Sequence, residues 1–211
     1  MEGYYPQHEV FFDPGQFPFL YDISRHHDTI FREILQIRNT DIWRSMLLST
    51  QDSFPLKLLG VWCKKTIEKL PKTYEILKDV PNIHSVSVSR LFPGRVIQPH
   101  RGWGPLANGI LRCHLGIDVP DNCGCVCENW VQPHENGGWV IFDDSKMHTS
   151  FNYGERKRYI MIVDITRPES IPRGQCKLAH TDTLNGYIET FFDEDAKAEL
   201  YKRIDDICSN E

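Results

Sequence analysis

The chain has 211 residues, 40% of them hydrophobic and 25% charged, which gives enough apolar mass for one sizeable core and too little for two. A formal net charge of −5 excludes the concentrated cationic surface that nucleic-acid phosphates require, and the run Arg156, Lys157, Arg158 is too short to restore it. No opening segment has the pattern of a secretory signal and no apolar stretch nears the roughly 18 residues of a membrane helix, so a soluble cytoplasmic protein is expected. Seven cysteines without small-scaffold spacing are expected to be free thiols.

Residues 1–24, with Tyr4, Tyr5, Pro6, Phe11, Phe12, Pro14, Phe17, Pro18 and Phe19, read as an arm lying against a core. Residues 25–80 read as helical support. Ile30, Ile34 and Ile37 repeat at helical spacing with Asp28 as a candidate cap, which predicts a helix over 28–38. A second helix is expected over 58–69, and Pro71 opens a third that runs through Leu77. After Pro81 the pattern alternates, predicting a strand over 85–92 that stops at Pro93-Gly94. Further strands are expected over 96–100, 110–117, 123–130, 138–142, 149–152 and 158–164, separated by turn residues. Short strands in such succession point to an antiparallel sandwich or jelly roll over 81–168. An extension over 169–211 closes with a helix at 193–208, where Leu200, Ile204 and Ile207 form a stripe. Residues 1–211 are expected to form a single domain, mainly β, with helices flanking both ends.

Two histidines stand beside turns: His100 in Gln98-Pro-His-Arg-Gly102, and His148 at the end of Phe142-Asp-Asp-Ser-Lys-Met-His148. Imidazole is the commonest neutral ligand for a divalent metal, so a pair of them at a barrel mouth is a candidate iron site. Arg158 follows His148 by ten positions on the next predicted strand. If it points inward, its planar fork suits a carboxylate better than a lysine would. Non-haem iron oxygenases mostly carry a third, carboxylate ligand two residues after the first histidine. That position here is Gly102, so the residues alone leave open Asp143 or Asp144 as third ligand, or no oxygenase at all.

Four blocks then carry a resemblance: Ser89-Arg-Leu-Phe-Pro-Gly-Arg-Val-Ile-Gln-Pro-His-Arg-Gly102, Leu111-Arg-Cys-His-Leu-Gly-Ile117, Trp139-Val-Ile-Phe-Asp-Asp-Ser145 with His148, and Arg158 with Val163-Asp-Ile-Thr-Arg-Pro168. In order and spacing they resemble the aspartyl/asparaginyl β-hydroxylase family over roughly residues 25–168. The resemblance implies a double-stranded β-helix (jelly roll). It also implies an iron(II)- and 2-oxoglutarate-dependent dioxygenase that uses O2, releases succinate and CO2, and hydroxylates an unactivated carbon. By the same matches His100 and His148 would hold the iron, and Ser89, Arg112, His114 and Arg158 would contact 2-oxoglutarate. Asp144 would orient metal-bound water, with water filling the position opposite Gly102. A peptide or protein Asp/Asn β-carbon is the expected substrate. Alternatives are a free amino acid, a small metabolite, a lipid acyl chain, or a jelly-roll module that binds metal and oxoacid without turnover.

Other signals are read as structural. Cys123, Cys125 and Cys127 alternate on one strand face, whereas structural zinc prefers paired Cys-x2-Cys knuckles. His26, His27 and His84 are expected to be solvated, His134 lies in a loop from which it could touch substrate, and Trp103, Trp130 and Trp139 are expected to fill the sandwich or its rim, Trp103 close enough to His100 for a role in the mouth.

Overall fold

The computed structural model describes residues 10–46, 50–177 and 182–209. Tyr4, Tyr5 and Pro6 of the expected arm lie outside the described residues. In chain order the strands are β1 (Phe11–Phe12), β2 (Arg44–Met46), β3 (Gln51–Leu58), β4 (Val61–Trp62), β5 (Ile83–Leu91), β6 (Arg95–Val96), β7 (Ile110–Asp118), β8 (Cys123–Cys127), β9 (Trp130–Pro133), β10 (Trp139–Phe142), β11 (His148–Asn152) and β12 (Arg158–Thr166). The helices are α1 (Tyr21–Ser24), α2 (His27–Ile37), α3 (Lys64–Ile67), α4 (Pro71–Leu77), α5 (Gly104–Asn108), α6 (Asp182–Phe191) and α7 (Glu194–Ser209).

The large sheet runs β1-β10-β7-β12-β5-β3-β2, with β4 on β3, and the small one runs β6-β11-β8-β9. Every strand pairing is antiparallel, and this two-sheet arrangement is the expected jelly roll. The pleat divides each strand between two environments. On the large sheet's outer face, Val86, Val88, Leu111, Cys113, Leu115, Met161, Val163 and Ile165 pack with Ile30 and Ile34 of α2, Leu77 of α4, Leu184 and Ile188 of α6, and Leu200 and Ile204 of α7. The inner face of the large sheet looks toward the small sheet. Phe11, Val140 and Phe142 meet Cys125 and Cys127 there in a second, smaller apolar cluster.

Several local outcomes differ from the sequence reading. The helix expected over 58–69 is instead the end of β3, a hairpin and the short α3. Leu59 and Gly60 both take positive φ (46° and 86°), forming the two-residue turn that joins β3 to β4. Residues 25–80 are therefore not simply helical support, because β3 is a full member of the large sheet beside β5. Pro55 hides that strand in the sequence, and it is tolerated because the β3/β5 register shifts between Pro55 and Lys57. The strand expected over 96–100 shrinks to β6 plus one bridge, His100 to His148. The expected 123–130 strand is a hairpin of β8 and β9, turned at Glu128 with φ 52°. Asp28 lies in the first turn of α2 rather than at its cap, which His26 occupies.

Candidate active site

The inner face gathers the residues that the sequence singled out. In the β5/β12 ladder Ser89 lies opposite Ile160 and Leu91 opposite Arg158, while in the β7/β12 ladder His114 lies opposite Ile162 and Arg112 opposite Asp164. Residues opposite one another share a face, so Ser89, Arg112, His114 and Arg158 all belong to the large sheet's inner wall. His148, Ser150 and Asn152 of β11 lie opposite Cys127, Cys125 and Cys123 of β8 on the facing wall.

His100 and His148 are held together by the backbone. Each amide donates to the other's carbonyl, at 2.9 and 2.8 Å, and the ring centroids lie 4.3 Å apart. His100 Nδ1 lies 2.8 Å from the Gln98 carbonyl and His148 Nδ1 2.9 Å from the Lys146 carbonyl. A carbonyl only accepts, so both Nδ1 atoms carry the proton and both Nε2 atoms present lone pairs. Burial lowers the pKa of each imidazole, that of His148 to about 3, so both remain neutral and ready to ligate. His148 Nε2 faces Asp144 Oδ1 at 3.5 Å. A lone pair set against a carboxylate oxygen is an arrangement that a cation relieves, so the donor set fits a divalent metal.

Asp144 is buried, and Arg112 Nη1 approaches its Oδ1 at 2.6 Å without hydrogen-bond alignment. Burial raises the Asp144 pKa against the pull of Arg112 and His100. Asp143, the other candidate ligand, is committed to Arg167 and to the amide and hydroxyl of Ser145. Of the two aspartates, Asp144 is the one that meets the histidines. It also explains Gly102: a Cβ there would overlap the Asp144 carboxylate and stand 2.6 Å from the Ala107 Cβ. The space that a side chain at position 102 would need is already occupied by a carboxylate brought in from 144.

The two inner arginines differ. Arg112 is engaged by two carboxylates: it hydrogen-bonds Asp164 through Nε at 2.8 Å and Nη2 at 3.0 Å and pairs with Asp144 through Nη1. Burial works against its charge, but the two carboxylates more than offset that and hold its pKa above the ordinary value. The oxoacid contact expected of Arg112 thus falls on a guanidinium whose charge is already paired with Asp144 and Asp164. Arg158 is fully buried, and its Nε, Nη1 and Nη2 have no hydrogen-bond partner among the described residues. Burial lowers its pKa to about 10. A buried unpaired guanidinium is costly unless a ligand completes it, and a carboxylate is the complement of its fork.

Ser89 is buried beside it on the same wall, with its hydroxyl 3.4 Å from Gln51 Oε1 of β3. Gln51 escaped the sequence reading together with its strand. His134, read in the sequence as a loop residue that could touch substrate, is buried, with Nε2 3.2 Å from His114 Nδ1. His27, expected in solvent, bonds to the Ile117 carbonyl at 2.9 Å and stacks on Phe31. Cys123, Cys125 and Cys127 are buried free thiols of the inner wall.

A family profile described as Aspartyl/Asparaginyl beta-hydroxylase matches residues 22–168. An ornithine lipid ester-linked acyl 2-hydroxylase of Rhizobium tropici is 27% identical over 176 residues, which is 76% of this chain and 62% of that protein. The Xenopus tropicalis aspartate beta-hydroxylase domain-containing protein 2 is 35% identical over 125 residues, 55% of this chain and 33% of that one. Human aspartyl/asparaginyl beta-hydroxylase is 34% identical over 109 residues, 49% of this chain and 14% of that one. The chain thus spans less than two thirds of each of these relatives. Among solved structures, a viral collagen prolyl hydroxylase of Paramecium bursaria Chlorella virus-1 aligns at 15% identity and TM-score 0.46, over 79% of this chain and 100% of that one.

Proposed function

Because the chain belongs to the aspartyl/asparaginyl β-hydroxylase family, we propose that it is an iron(II)- and 2-oxoglutarate-dependent dioxygenase. Its reaction hydroxylates an unactivated carbon, with the β-carbon of an Asp or Asn residue in a peptide or protein as the first substrate class. What carries this is Arg158, a buried guanidinium with all three nitrogens unpartnered, on the wall facing a histidine pair with free Nε2 lone pairs.

Iron would be held by His100 and His148, and when bound would supply the activation of O2 coupled to decarboxylation of the oxoacid to succinate and CO2. Arg158 binds the distal carboxylate of 2-oxoglutarate, with Ser89 and His114 on the same wall as further contacts. Arg112 acts one step removed: clamped by Asp164, it fixes the Asp144 carboxylate beside His148. From there Asp144 would accept a hydrogen bond from a water beside the histidine pair and orient it. Val140, Phe142 and Leu91 exclude bulk water from the chamber and strengthen each charge contact within it.

A relative that matches 76% of this chain is named as a lipid acyl hydroxylase, and this favours an acyl chain as the second substrate class. No helix among the described residues is long and apolar enough to cross a membrane. The test is to supply iron(II), ascorbate and 2-oxoglutarate with Asp/Asn peptides, free amino acids and acyl lipids in separate arms. Succinate release and a substrate gain of about 16 mass units are read in each. His148→Ala should abolish both, and succinate formation that survives it would remove the site assignment. Iron and oxoacid binding without succinate in any arm would instead mark a module without turnover.

A further inference from the structure

We propose that His134 is a positioning residue for the oxoacid pocket: by donating from Nε2 it fixes the tautomer of His114, so that His114 offers an Nε2–H to the carboxylate gripped by Arg158. This rests on the 2-oxoglutarate reading above for its ligand, and on the contact between the two rings for its hydrogen bond.

His134 follows directly after β9, 20 positions from His114 on β7, and the two rings meet with Nε2 of one 3.2 Å from Nδ1 of the other. Their centroids lie 5.3 Å apart at a 38° tilt, and both residues are buried. Burial, with the Arg158 charge behind it, holds both imidazoles well below the usual histidine range, so each is neutral and carries one proton. One proton occupies the shared contact, which leaves two arrangements. If His114 donates from Nδ1, then His134 bears its proton on Nδ1, a buried atom with no partner. That would bury an N–H donor without an acceptor, whereas His114 Nε2 is not among the buried side-chain atoms left without a partner. Leaving a buried donor unpaired is the costlier arrangement. If His134 donates from Nε2, its Nδ1 is a lone pair and no donor is orphaned there. His114 then keeps its proton on Nε2, the form that can donate to an anion at Arg158.

Long-range proton–nitrogen correlation spectra of the histidine-labelled apo protein, assigned with His114→Asn and His134→Gln variants, read the tautomer directly. The expected result is His114 protonated at Nε2, and a proton on Nδ1 overturns the proposal. Calorimetric titration of 2-oxoglutarate into the manganese-loaded protein supplies the second readout. His134→Phe should weaken binding about tenfold, the scale of one hydrogen bond to a charged group. His134→Gln, whose amide places an N–H near the former Nε2, should stay within about twofold of wild type. Equal loss in both variants, or none in His134→Phe, overturns the assignment. If the wild-type protein binds no 2-oxoglutarate, the functional reading fails while the spectra still decide the tautomer.

Discussion

Gly102 sits where non-haem iron oxygenases mostly carry a carboxylate ligand, and installing that ligand here should damage the protein. A Cβ at 102 would overlap the Asp144 carboxylate and lie 2.6 Å from Ala107 Cβ and 2.7 Å from Asp144 Cγ. The backbone has little room to retreat, since the Gly102 amide donates to Asp144 O at 2.8 Å and its carbonyl accepts from Gly104 N at 3.0 Å. Overpacking of this kind costs about 1–3 kcal/mol. In a chain of this size each kcal/mol lowers Tm by about 2–4 °C, so Gly102→Ala should melt roughly 2–12 °C lower. Gly102→Asp adds a second carboxylate next to one whose ionisation burial already opposes, and its loss should be larger. In an Asp144→Ala background the penalty of Gly102→Ala should shrink without vanishing, because the Ala107 contact persists. Thermal unfolding of the metal-free proteins gives these differences, and competition with a fluorescent chelator gives iron affinity. A Gly102→Asp protein that melts like wild type and binds iron more tightly would refute the claim that Asp144 fills this space.

Arg158→Met should stabilise the metal-free protein while removing its response to 2-oxoglutarate. The lowering of the Arg158 pKa to about 10 by burial corresponds to a penalty of ~3 kcal/mol, and melting with and without the oxoacid reads both effects. Glu33 of α2 accepts from Lys72 N at 3.0 Å, Thr73 N at 2.7 Å and Thr73 Oγ1 at 2.7 Å, capping α4 from a distance. Glu33→Ala should therefore cost about 2 kcal/mol or more in urea unfolding, and Glu33→Gln less. Stability should also be pH-dependent: His114 and His134 are held below the ordinary 6.5 when folded, whereas unfolding frees them to bind protons. Their contribution is complete above about pH 6.5 and falls below it by up to about 1.4 kcal/mol per pH unit for each. Urea unfolding between about pH 7 and pH 5 should show this slope, made shallower in His134→Gln.

What the sequence made legible was periodicity and spacing. The isoleucine stripe of α2, the alternation of β5 and the stripe of α7 each buried the face that their pattern marked. What it concealed was geometry that overrides local composition. Pro55 argues against a strand until the register shift beside it is known, and Gln51, opposite Leu91 on the pocket wall, disappeared with that strand. α6 also went unread, although Leu184, Tyr187, Ile188 and Phe191 follow helical spacing and are buried. His134 carries no periodic signal at all, because it sits in a loop and matters through a neighbour twenty positions away.

The two arginines show why a motif alone does not assign a role. Arg112 and Arg158 stand on adjacent strands, point to the same inner face and match the same family pattern. Their environments separate them: Asp144 and Asp164 spend the fork of Arg112 on structure, while nothing among the described residues meets that of Arg158. A buried cation with its counter-charge in the chain is a strut, and one without it raises the energy of the empty protein until an anion arrives. That raised energy is released on binding, so the pocket favours a ligand that brings both negative charge and a planar pair of acceptors. Serine or histidine at position 158 would donate a hydrogen bond without creating this imbalance. On the proposed function, the preference for a carboxylate at this wall would therefore reside in the unpaired charge of Arg158 rather than in the number of polar groups around it.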